Sequence, residues 1–80
     1  MTAYSTNLEE VTVANTNFRQ VLYTAPHSQL VLMSLKPTEE IGEEVHSVDQ
    51  FFRIEKGMGK AVVDGEDYVL TDGVALIVPA

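Results

Sequence analysis

Glu44, His46 and Gln50 are the residues whose types and spacing can do chemistry in this chain. All three have even numbers, and on an extended chain side chains two apart share a face. If the strand register runs through Ser47-Val48-Asp49, a carboxylate, an imidazole and an amide oxygen converge on one side, which Phe52 and Ile54 continue into apolar interior. Such a set offers a divalent ion one nitrogen and two oxygens, suiting Mn, Fe, Ni or Zn better than a soft ion. Three protein ligands leave positions open for water or a substrate. Each residue also has a plainer role. Glu44 sits in an acidic loop with Glu39, Glu40 and Glu43, and such loops are usually just solvated. If it is not a ligand, Glu44 is the candidate catalytic residue, a general base. Gln50 equally reads as a polar residue at a strand start, satisfied by backbone. Asp49, of odd parity, is expected to face away from the other three, and His27, after Pro26 in a turn, is expected in solvent.

The elements that must position these residues are short strands separated by turn residues, with β-branched and aromatic residues in runs and little helical periodicity. The class is all-β. Val11-Thr12-Val13 and Phe18 to Tyr23 read as the first extended pieces, ended by Ala25-Pro26-His27-Ser28. Gln29 to Lys36 follows as a strand with two apolar faces, Leu30 and Leu32 against Val31, Met33 and Leu35, which asks for cover on both sides. After the acidic loop comes an extended segment from Val45 to Lys56, closed by Gly57-Met58-Gly59. Asp64-Gly65, between Lys60 to Val63 and Asp67 to Leu70, is a strong hairpin signal. Phe52 reads as core and Phe51 as a residue packing outside. The last strand, Val74 to Val78, runs into Pro79-Ala80 and is expected to leave an unpaired apolar edge.

Eighty residues make one small domain, in which folding buries only about 60% of the unfolded surface. No cysteine is present to staple it. Twelve acidic residues against five basic ones give a net charge of −7, which repels nucleic acid and anionic membranes. The first residues have neither a basic start nor a long apolar run, and no stretch approaches the roughly 20 apolar residues of a span. A cytoplasmic protein is expected.

Around these residues the chain resembles the cupins. Their first motif runs glycine, five residues, His-x-His, three or four residues, Glu, six residues, Gly. From Gln50 six residues lead to Gly57, so Gln50 stands at the motif glutamate, His46 at the second histidine and Glu44 at the first. The second motif opens glycine, five residues, proline, and Gly73, Val74 to Val78 and Pro79 match that opening. The resemblance covers about Leu30 to Ala80, and implies truncation within the second motif before its histidine. Val45 to Gly57 and Val63 to Leu70 look like small single-domain bacterial cupins, often labelled mannose-6-phosphate-isomerase-like. The resemblance implies a double-stranded β-helix, the jelly-roll-like barrel, incomplete at its C-terminus. An N-terminal arm would cover about 1–16 and the barrel strands about 17–80. It implies a divalent metal at Glu44, His46 and Gln50 and a small polar ligand, as in sugar-phosphate isomerases or oxygenases. The alternative is a non-catalytic small-molecule-binding or dimerising fragment with a degenerate site. A homodimer through Gln29 to Lys36 or the Val74 to Val78 edge would cover exposed apolar surface.

Overall fold

The computed structural model describes residues 3–80; the first two positions of the N-terminal arm lie outside the described residues. The chain divides into two compact units, one ending at Ile41 and one from Gly42 to Ala80.

The first unit begins with a correction. Val11-Thr12-Val13, expected extended, belong instead to a helix, α1, Leu8–Ala14. Their β-branched side chains favour strands by only tenths of a kcal/mol each, about what one good cap overrides. Asn7 supplies that cap, its Oδ1 accepting the Glu10 amide at 2.9 Å, and Glu9 and Glu10 place negative charge in the first turn. Strands β1 (Arg19–Thr24) and β2 (Gln29–Met33) then pair antiparallel, with a bulge between Val21 and Tyr23. The turn between them closes where the Ala25 amide donates to the Ser28 carbonyl at 2.8 Å. Tyr4 stacks on Tyr23 with ring centroids 5.0 Å apart. β2 stops at Met33, short of the expected Lys36, because the Ser34 amide turns to the carbonyls of Asn17 and Phe18. Leu32, on β2, is buried at 3% exposure, whereas Leu35, beyond the strand, is 43% exposed.

The second unit holds β3 (Gln50–Arg53), β4 (Met58–Val63), β5 (Glu66–Thr71) and β6 (Ala75–Val78). β4 and β5 form the expected hairpin, in register from Met58 opposite Thr71 to Val63 opposite Glu66. Asp64 and Gly65 turn it with φ of 49° and 80°, the pair of positive values that a two-residue turn of right-handed twist requires. β6 lies antiparallel to β3 along one edge, with Phe52 opposite Leu76 and Phe51 opposite Ile77. Gln50, Phe52, Leu76 and Val78 share the half-buried face, while Phe51 and Ile77 point outward at 65% and 66% exposure. The expected strand from Val45 is shorter than its composition suggests. The backbone bends at Ser47 and Val48, Val45 is 95% exposed, and the ladder starts only at Gln50. Asp49 explains the start, since its Oδ1 accepts the Ala80 amide at 2.8 Å and pins the chain end beside β3.

The architecture is all-β apart from α1. Among the described residues, the strands form three two-stranded ladders that no further pairing joins into a closed barrel. No helix of the described residues is long and apolar enough to cross a membrane.

Candidate metal centre

The candidate site is built at the entry to β3. Two glycines and an aspartate brace that strand's far end. Gly57, at φ 116°, lets the chain leave Arg53–Lys56 and enter β4, a backbone conformation that side chains with a Cβ rarely adopt. Its amide donates to Asp72 Oδ1 at 2.6 Å, and Asp72 precedes Gly73, the residue that leads into β6. The Ile54 amide reaches the Val74 carbonyl at 2.9 Å and the Gly73 amide returns to the Ile54 carbonyl at 2.6 Å. The segments from Gly57 and from Gly73 are thereby tied together.

At the near end, the loop before β3 brings Glu44 and His46 together, with Nε2 of the histidine 2.9 Å from Oε2 of the glutamate. Glu44 and His46 come together as their shared parity expects, but the bend at Ser47 and Val48 follows them and breaks the register before Gln50. The two side chains meet through the loop. Both are open to water, at 39% for His46 and 55% for Glu44. Without an ion the contact is an exposed hydrogen bond, worth no more than about 1 kcal/mol. Gln50 opens β3 on its half-buried face, the face that Phe52 continues. Among the described residues no group of three or more His, Cys, Asp or Glu side chains is arranged to hold a metal. A third donor from this chain has to be the Gln50 amide or come from outside that set.

The 2.9 Å between Nε2 and Oε2 is the ordinary length of a direct hydrogen bond between the two side chains.

The cupin-domain family model matches residues 31–80. The chain belongs to the cupin family. This cupin is 46% identical over 81 residues to the uncharacterized protein L612 of Acanthamoeba polyphaga mimivirus, covering 96% of the chain and 51% of L612. To the uncharacterized protein YrkC of Bacillus subtilis (strain 168) it is 41% identical over 81 residues, covering 92% of the chain and 44% of YrkC. The chain thus spans about half the length of these curated relatives. No solved structure matches it.

Two features of the cupin were missed in the sequence. Counting back from Glu44 along the first motif, its opening glycine falls at Thr38, and Thr38 has φ 68°, in the left-handed region. Pro37 before it and the Glu39 amide on the Lys36 carbonyl, at 2.9 Å, complete a turn that asks for glycine at this place. The second is a cluster on β5: Tyr68 donates its hydroxyl to Glu66 Oε2 at 3.0 Å beside Asp64. The phenol is held above its ordinary value of 10.0, first by that hydrogen bond and then by the charge of Glu66, with slight desolvation and the charge of Asp64 adding to it. Glu66 and Tyr68 share parity on β5, and that was the available signal.

Proposed function

We propose that this cupin binds a divalent ion through His46 and Glu44, with Gln50 as third donor, and holds a small polar molecule at the positions left open. The observation that carries the reading is the 2.9 Å approach of His46 Nε2 to Glu44 Oε2 at the entry to β3. A bound ion would supply Lewis-acid polarisation of an oxygen on that molecule. The chain's residues would do the rest. His46 and Glu44 bind and orient, Phe52 and the half-buried face of β3 exclude water on one side, and Glu44, if released from the ion, takes up a proton. A sugar-phosphate-isomerase-like or oxygenase-like substrate fits this reading, because the acidic loop repels a free anion unless the ion offsets it.

The test is metal content after exposure to Mn, Fe, Ni and Zn, beside His46→Ala. Near-stoichiometric metal in the parent chain, lost in the variant, is expected; no retained metal in either would remove the proposal. A second reading, a cupin that binds a small molecule without catalysis, is favoured by Gln50 standing where the family has glutamate. The amide lowers the donor charge and with it the affinity for the ion.

Pairing of two chains belongs to the same proposal. Val21 and Val31 stand opposite each other on the face of the β1–β2 ladder that does not carry Leu32, and Val21 is 40% exposed. A second chain laid there would cover the other face of β2. Sedimentation that shows only monomers at high concentration, with Val21→Lys no different from the parent, would exclude it.

A further inference from the structure

Tyr4 and Tyr23 form a pair that the candidate metal centre does not use. Their rings stack with centroids 5.0 Å apart and planes 13° from parallel. Near-parallel rings at that distance are offset, so the edge of one lies over the face of the other and their nearest carbons stand at about van der Waals contact. The two partners differ in how they are held. Tyr23 is half-buried in β1, with Leu30 of β2 opposite it. Tyr4 is 43% exposed and lies before α1 in a stretch outside helix and strand, so its ring can turn onto its neighbour and an oxidant in solution can reach it. The contact lies wholly within the unit that ends at Ile41. The third tyrosine, Tyr68, belongs to the other unit, its hydroxyl engaged by Glu66.

Two phenols held in contact couple when each loses one electron and one proton. We infer that Tyr4 and Tyr23 are an oxidative cross-linking site, joined as dityrosine by a one-electron oxidant of the class of a haem peroxidase acting with hydrogen peroxide, so that the N-terminal arm becomes bonded to β1. The oxidant takes one hydrogen atom from each hydroxyl, and the peroxide that accepts both becomes two waters. The two phenoxyl radicals form one carbon–carbon bond between the positions ortho to oxygen. The hydrogens on those two carbons then pass to the oxygens, which restores both phenols. Because the rings are already together, the coupling is intramolecular and gains a high effective concentration. Coupling between two copies is opposed, since each brings a net charge of −7. The new bond closes a loop of about 20 residues around α1 and limits the unfolded chain as a disulfide does, in a sequence that has no cysteine.

The experiment treats the full chain, at low micromolar concentration, with a haem peroxidase and one equivalent of hydrogen peroxide, in buffer and in urea. Dityrosine fluorescence is read in the monomer after separation by size, and peptide mass spectrometry places the link. The expected product is a monomer lighter by two hydrogen atoms in which the Tyr4 and Tyr23 peptides are joined, with about tenfold less of it in urea, where the pair is apart. Tyr4→Phe and Tyr23→Phe, which keep the ring stack, are expected to lose the product, and Tyr68→Phe to keep it. The cross-linked monomer is expected to melt several degrees above the parent. No dityrosine in the monomer, a link that uses Tyr68 in place of Tyr4 or Tyr23, or a yield unaffected by urea or by Tyr4→Phe would each overturn the inference.

Discussion

Arg53 Nε lies 2.7 Å from Glu55 Oε1, and the glutamate side chain it reaches is only 3% exposed whereas Arg53 itself is 47% exposed. A carboxylate shielded to that degree depends on its partner, because removing one member of a buried pair leaves an uncompensated charge. Arg53→Ala is expected to lower stability by about 1–3 kcal/mol, less than a fully buried pair because water screens the arginine. Glu55→Gln, which removes the charge and keeps the acceptor, should cost less. Urea denaturation of the two variants checks the order, and equal losses would show that the ion pair is incidental.

Two residues with positive φ should respond in opposite senses. Gly65, at φ 80° with nothing within 4 Å of a built Cβ, has space for a methyl group but not the backbone freedom, so Gly65→Ala is expected to cost about 1 kcal/mol. Thr38, at φ 68°, is a β-branched residue already bearing that strain, and Thr38→Gly should gain up to about 1 kcal/mol. For a domain of this size each change corresponds to a shift of about 4–8 °C in Tm. Thermal unfolding followed by circular dichroism reads both.

In α1, Asn7→Ala removes the acceptor for the Glu10 amide and is expected to cost about 1 kcal/mol and part of the helical signal. Thr12 gives the contrasting case, since its Oγ1 is buried without a hydrogen-bond partner. Thr12→Val keeps the shape and removes the orphaned hydroxyl, so stability should hold or rise. A loss at Thr12→Val as large as that at Asn7→Ala would contradict this account of the helix.

Tyr68 sets a high-pH limit. The folded chain favours its neutral phenol, so the contribution is fully present below the ordinary value of 10.0 and is lost as pH rises through the raised folded value. Spectrophotometric titration of the three tyrosines should show one group ionising above the ordinary value. Glu66→Gln should bring that group back toward 10.0. A titration unchanged by the variant would show that Glu66 is not the cause.

The amino-acid sequence by itself determined what lies within a few residues. Asp64-Gly65 declares its hairpin because both residues tolerate positive φ. The alternation of Phe51 and Phe52 declares which one faces out, because strand side chains alternate whatever they pack against. The spacing from Glu44 to Gly57 and from Gly73 to Pro79 carries the family, since turn positions are set by local backbone conformation. Only the tertiary structure decided the rest, because those outcomes compare a local preference with a distant partner. Val11-Thr12-Val13 prefer strand by type, and a cap at Asn7 makes them helix. Gln29 to Lys36 could extend further, and Ser34 turning to Asn17 and Phe18 ends it at Met33. Val74 to Val78 looks unpaired in order of sequence, and β3 takes one of its edges through bonds anchored by Asp49 and Ile54. The bend at Ser47 and Val48 parts Glu44 and His46 from the ladder that starts at Gln50, which shared parity did not foresee. Residue type sets which side chains can bond, and the path of the chain decides which of them come within reach.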